Sequence, residues 1–274
     1  MTTMRAFQVR TDDGLELSCI ERGEVRGTPM VLLHGYSDSC RSFEPLLNRL
    51  PGSIRAVAIS QRGHGDSTKL AAGYRIGDFA GDVAAVMDRL TLPRAVVLGH
   101  SMGSLVAQRF ALDHPDRLLG LVLVGAFRTL QGNAAMADLW REVIADLTDP
   151  VHPALVRAFQ ESTLATPVAP AFLETVIAES LKLPAHVWRE VGRGLMAEDF
   201  SAELRCITAP TLILWGDQDG FSGRHEQIAL EVSIRNSRST IFAGIGHAPH
   251  WEAPDRAADE IAAFIMAKVA AAPR

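Results

Sequence analysis

The residues best suited to chemistry are a serine flanked by glycines, Gly99-His100-Ser101-Met102-Gly103, and two downstream clusters that hold carboxylates and histidines. The pentapeptide follows the apolar run Ala95-Val96-Val97-Leu98, which has the length and Val content of a buried strand. It leads into Ser104-Leu105-Val106-Ala107-Gln108-Arg109-Phe110, whose Leu105, Val106 and Phe110 share one helical face. A G-x-S-x-G between strand and helix predicts a sharp, strained turn that leaves the Ser101 hydroxyl exposed. Glycine at both flanks removes Cβ atoms that would collide there. A serine hydroxyl is a poor nucleophile until a base takes its proton, and the base needs an acid to orient it. Asp217 and Asp219 follow the strand-like run ending at Trp215, and His247 and His250 follow the run ending at Ala243. His247 sits directly after Gly246 at the strand's end, which favours it over His250.

The elements that must position these groups are legible from apolar patterning. Strand-like runs occur within residues 4–21, around the turn Thr11-Asp12-Asp13-Gly14, and at 29–33, 54–60, 95–98, 118–124, 210–215 and 239–243. Helical spacing appears at Phe43, Leu46, Leu47 and Leu50, over residues 78–90, after the elbow, and at Ile261, Phe264 and Ile265. The internal strands are continuously apolar rather than alternating, which predicts a mostly parallel central sheet covered by helices on both faces. Between Phe127 and Leu204 the rhythm changes to helix-compatible segments punctuated by Pro150, Pro153, Pro167, Pro170 and Pro184. The expected organisation is an α/β core over 1–127 and 205–274 with a helical lid inserted at 128–204. In parallel α/β sheets reactive groups gather at the carboxyl ends of strands, where Ser101, the Asp pair and His247 all fall.

Bulk properties narrow the function classes. The chain of 274 residues is 47% apolar and 22% charged with a net charge of −5, so it offers no basic stripe for nucleic acid. No apolar stretch approaches the roughly 18 residues of a membrane span, and the first residues lack the apolar core of a signal peptide. Cys19, Cys40 and Cys206 are widely spaced and match no zinc pattern. A cytoplasmic protein with free thiols, acting on a small molecule, is the expectation. No His, Asp or Glu pair has metal-site spacing, and no glycine-rich loop has the sequence of a phosphate cradle. Neither a metal nor a cofactor is expected.

Five ordered motifs resemble those of the α/β-hydrolase superfamily: His34-Gly35-Tyr36-Ser37-Asp38-Ser39, Arg62-Gly63-His64-Gly65-Asp66-Ser67, Gly99–Gly103, Gly216-Asp217-Gln218-Asp219, and Gly246-His247 with Glu252-Ala253-Pro254. One departure is Ser60-Gln61 before Arg62, where the family often carries an Asp. The resemblance implies Ser101 as nucleophile, His247 as base and Asp219, last in the family's G-x-x-D pattern, as acid. Asp217 is then left to brace its turn. It also implies an oxyanion hole from the backbone N–H groups of Met102 and Tyr36. His34, His64 and His100 are expected to brace turns.

Within that superfamily, Ser at the elbow disfavours alkyl-halide and epoxide chemistry, which needs a carboxylate there. The lid also lacks tyrosine, since the chain has only Tyr36 and Tyr74. Carbon–carbon bond hydrolases usually carry Trp directly after the base, where this chain has Ala248. The expected activity is hydrolysis of a carboxylic ester or lactone of a small, mainly hydrophobic substrate through an acyl-enzyme. Carbon–carbon bond hydrolysis, cofactor-free perhydrolysis and a slow-turnover ligand receptor are the alternatives. Of the apolar lid residues Phe127, Leu130, Met136, Leu139, Trp140, Phe159, Phe172, Leu181, Trp188, Leu195 and Met196, a minority should line the pocket. Tyr36, Trp140 and Trp188 are taken as substrate-binding.

Overall fold

The computed structural model describes residues 3–269 and contains one eight-stranded sheet in the order β1-β2-β4-β3-β5-β6-β7-β8. The strands are β1 (Arg5–Arg10), β2 (Glu16–Arg22), β3 (Thr28–Leu33), β4 (Ile54–Ile59), β5 (Ala95–His100), β6 (Leu118–Val124), β7 (Thr211–Gly216) and β8 (Ser237–Phe242). β1 and β2 pair antiparallel at one edge, and every pairing from β4 through β8 is parallel. Continuous apolar runs suit this sheet because successive side chains point to opposite faces, and both faces are covered. Val31 and Leu33 of β3 join the core that contains Phe79 and Val83 of α2 (Ile76–Arg89) and Phe110 of α3 (Met102–Asp113). Met30 and Leu32 point the other way. They pack with Leu46 and Leu47 of α1 (Glu44–Leu47) and with Ile261 and Phe264 of α10 (Pro254–Phe264).

The expected helix through Leu50 is shorter, a single 3-10 turn followed by α1. The helix expected from residue 78 begins two residues earlier, because the Asp78 carboxylate accepts the Arg75 N–H at 2.8 Å and caps the first turn.

Between β6 and β7 the chain is helical: α4 (Ala134–Leu139), continued by a π turn, then α5 (Pro153–Ser162), α6 (Pro170–Ser180) and α7 (Ala185–Ala197). Three of the five prolines that punctuate this stretch stand at helix starts, and Pro150 and Pro167 lie in the connections between helices. Pro153 and Pro170 occupy first-turn positions and Pro184 precedes α7, where a missing N–H costs nothing. The remaining helices are α8 (Arg224–Ser233), between β7 and β8, and the short α9 (Pro249–Glu252).

Candidate active site

The loops leaving β3, β5, β7 and β8 meet at the carboxyl edge of the sheet. Ser101 ends β5 and starts α3, with φ 52° and ψ −118°, a left-handed conformation that costs a non-glycine residue of order 1–3 kcal/mol. The flanking glycines permit it through close approach. A Cβ on Gly99 would lie 2.0 Å from the Gly103 carbonyl oxygen, and one on Gly103 would lie 2.1 Å from that of Leu33. The Ser101 N–H donates to the Val124 carbonyl at 3.0 Å, tying the turn to the neighbouring strand.

The three residues carried over from the resemblance come together. Ser101 Oγ lies 2.8 Å from His247 Nε2, and His247 Nδ1 lies 2.8 Å from Asp219 Oδ2. A carboxylate can only accept, so Nδ1 carries the proton and Nε2 presents its lone pair to the serine hydroxyl. Asp219 is held in turn: its Oδ1 accepts the N–H groups of Phe221 and Ser222 at 2.8 and 2.9 Å. His247 is fixed from the helical insertion, donating its N–H to the Thr163 carbonyl at 2.8 Å. Asp217 does not reach the histidine ring. Its carboxylate accepts the Gly244 N–H at 2.7 Å and braces the loop that carries His247.

Met102 is the first residue of α3, so its N–H has no intrahelical acceptor and lies where the helix dipole favours negative charge. Tyr36 and Met102 line the same cavity as Ser101 and His247. The histidines of the glycine-rich turns behave as braces. His34 Nε2 accepts the Gln61 N–H at 2.9 Å, which leaves Nδ1–H to donate to the Gly35 carbonyl at 2.8 Å. The Gln61 side chain closes the arrangement on the His34 carbonyl at 2.9 Å, so the departure at this position keeps a structural role. Burial pushes His64 down to about 4 and His250 down to about 3. His250 lies behind His100, with ring centroids 4.4 Å apart, and does not line the cavity.

The walls of the cavity are mainly apolar. Six of the eleven apolar residues singled out from sequence line it (Phe127, Leu130, Met136, Leu139, Phe159 and Leu195), more than the expected minority. The expectation for Trp140 and Trp188 is corrected: neither is on the wall. Trp188 is fully buried behind it, edge-on to Tyr36 and Phe159 at 5.0 and 5.6 Å, and its carbonyl accepts the Tyr36 hydroxyl at 2.5 Å. Trp140 packs beneath Arg193, whose guanidinium lies 5.4 Å from its ring. Tyr36 does line the wall, as expected. Sequence reasoning passed over Asp38, Gln160, Phe221 and Trp251, all on the wall. Trp251 carried a signal, being an aromatic four residues after His247.

Among the described residues no group of three His, Cys, Asp or Glu side chains could hold a metal ion, and no helix is long and apolar enough to cross a membrane.

With the elbow, the relay and the sheet order established, the class is clear: a profile for the alpha/beta hydrolase fold matches residues 28–254, and the chain belongs to that family. Among its relatives, the AB hydrolase superfamily protein YisY of Bacillus subtilis is 29% identical over 271 residues, covering 93% of this chain and 97% of that one. A 2-hydroxy-6-oxononadienedioate/2-hydroxy-6-oxononatrienedioate hydrolase of Cupriavidus pinatubonensis is 28% identical over 259 residues, covering 88% and 87%. A crystal structure of a candidate aryl esterase from Burkholderia cenocepacia superposes with a TM-score of 0.88 at 25% identity, covering 97% of this chain and all of that one.

Proposed function

We propose that this hydrolase cleaves a carboxylic ester or lactone of a small, mainly hydrophobic substrate through an acyl-enzyme on Ser101. The observation that carries the reading is the continuous relay from Ser101 Oγ through His247 to Asp219, with both contacts at 2.8 Å. His247 Nε2 takes the serine proton as Oγ attacks the carbonyl carbon, and Asp219 holds the ring in its Nδ1–H tautomer and stabilises the imidazolium. The negative oxygen of the tetrahedral intermediate is received by the N–H groups of Met102 and Tyr36. His247 returns the proton to the leaving alcohol, then activates a water that releases the acid. Every step uses groups of this chain, and none calls on a metal or cofactor.

The segment 128–204 serves as a lid. Its Leu130, Met136, Leu139, Phe159 and Leu195 roof the cavity over Ser101, while the Thr163 carbonyl ties it to His247. The cavity beneath it is small, about 40 Å³. A cytoplasmic setting fits the free thiols Cys19, Cys40 and Cys206.

Carbon–carbon bond hydrolysis is the second reading, favoured by the Cupriavidus relative and disfavoured by Ala248 after the base. The test is steady-state hydrolysis of an aryl ester series of increasing acyl length, with Ser101→Ala beside the parent. Chain-length-dependent turnover that falls about 10⁴-fold or more in the variant supports an ester hydrolase. A folded parent that ignores every ester but cleaves a vinylogous diketone overturns it in favour of the second reading.

A further inference from the structure

One side chain belongs to two surfaces at once. Trp251 is on the wall of the catalytic cavity and also on the wall of an outer groove of about 380 Å³. That groove is bounded by residues around α1, by the start of α6 and by α9 with the residues that follow it. Among the described residues no other side chain is common to the two walls. Where they adjoin, the partition is therefore a single indole. The space on its inner side is about 40 Å³, a small fraction of the space outside.

The chain carries this residue on the same loop as the base. The Trp251 N–H donates to the Ala248 carbonyl at 2.8 Å, which fixes it in α9 just past His247. Its ring stands edge-on to Phe172 of α6, with centroids 5.5 Å apart, in a cluster with Val176 and Ala248. The indole Nε1 is buried and has no hydrogen-bond partner among the described residues. A buried donor without an acceptor is a cost, so the position draws on the bulk of the ring and not on its polar atom. Outside the ring, Val168 and Phe172 pack against it and line the groove. The charged neighbours on that wall are engaged: Arg49 with Asp255 at 2.6 Å, and Glu252 with the Gly246, Ala165 and Thr166 N–H groups. A hydrocarbon chain passing this point would meet apolar side chains and paired charges.

We propose that Trp251 sets the length of one substrate arm, closing the cavity at that end so that a shorter side chain there opens it into the groove. The inference deepens the ester-hydrolase reading, on which it rests for the chemistry at Ser101. An alkyl arm gains about fourfold in affinity for each methylene it buries until it reaches the indole. The next methylene must then displace a packed ring, which is unfavourable. With the ring removed, further methylenes continue between Val168 and Phe172 and the gain continues with them.

The experiment measures second-order inactivation by n-alkyl fluorophosphonates, which react with a serine nucleophile whatever bond the enzyme cleaves. Two series are used, one lengthened on the phosphonyl carbon and the other on the alkoxy oxygen, against the parent, Trp251→Leu and Trp251→Ala. The parent rate should rise with length and then fall in each series. In the variants one series should move its optimum to longer chains while the other keeps it. In that series the rate three methylenes past the parent's optimum, relative to the rate at that optimum, should rise at least about tenfold. A purely structural role would lower every rate by a common factor and leave both optima in place. The proposal is overturned if neither optimum moves or if the parent shows no length limit. It is also overturned if both optima move together, which would mean a loosened insertion. Trp251→Leu keeps an apolar side chain against Phe172 and decides the matter if Trp251→Ala does not fold. Failure of the ester-hydrolase reading shows separately, as a parent that is labelled on Ser101 but turns over no ester, and a parent that reacts with neither series overturns both.

Discussion

Replacing Asp38 by Asn should stabilise the protein in a pH-dependent way. The folded carboxyl is pushed up to about 7 from its ordinary 3.8, chiefly by burial, with Gln160, His247 and the Gly35 backbone pulling the other way. His100 and His247 are the titratable side chains that face it. Between these two values the unfolded chain has released the proton and the folded chain retains it, so stability falls as the pH rises. The contribution is present in full below about 3.8 and lost by about 7. At 1.36 kcal/mol per pKa unit the loss across that window is about 4 kcal/mol.

Asp38→Asn removes the ionisation while keeping an oxygen for Gln160. Chemical denaturation of parent and variant at intervals from pH 4 to 8 reads the effect. His34, His64, His100 and His250 are held neutral by burial and destabilise the fold as pH drops, but they do so in both proteins and cancel in the difference. The stability gap should widen by about 4 kcal/mol between pH 4 and 7 and be flat above about 8. A gap that stays constant over this range refutes the reasoning, and one that narrows would mean that the ionised carboxylate is welcomed by His100 and His247.

The remaining expectations concern the elbow and the loops around it. Asp219→Asn should lower kcat about 10⁴-fold by releasing the His247 tautomer, while Asp217→Asn, which only loosens a loop, should cost less than about tenfold; steady-state kinetics of both would exchange their roles if the order reversed. Gly103→Ala drives a methyl to 2.1 Å from the Leu33 carbonyl oxygen and should cost upwards of ~3 kcal/mol; a variant with the parent's melting temperature would contradict that close approach. Glu252 accepts from the Gly246, Ala165 and Thr166 N–H groups and the Thr166 hydroxyl, at 2.7–3.0 Å, joining the insertion to the His247 loop. Glu252→Ala should therefore cost about 2 kcal/mol in thermal denaturation and lower kcat more than it changes KM.

The sheet and the relay were legible because their causes are local. A continuously apolar strand, a glycine forced by close approach and a Ser-Asp-His order all leave marks in the linear sequence. The walls of the cavity were not legible in that way. Trp140 and Trp188 attracted attention through their size, but tertiary packing set Trp188 behind Tyr36 and Trp140 beneath Arg193. Asp38 sits among serines in a loop, a setting that reads as a solvated turn, and the groups that surround its carboxylate, His100 and Gln160 of α5, come from far along the chain. Gln160 is a polar residue on a helix with several exposed positions, and nothing near it in sequence announces the core partners Ser37 and Asp38 more than 120 residues away. Helix prolines mislead for a related reason: the same residue ends one helix or begins the next, and the choice rests on contacts made elsewhere.

The central claim is that Ser101 is the atom donor for a covalent intermediate. Intact-protein mass spectrometry after treatment with a fluorophosphonate, followed by peptide mapping, tests it most directly. One phosphonyl group per chain should appear on the peptide containing Ser101, with ester hydrolysis lost in proportion to labelling and no label on the Ser101→Ala protein. A label placed elsewhere, or full activity in a protein labelled at Ser101, would contradict the account.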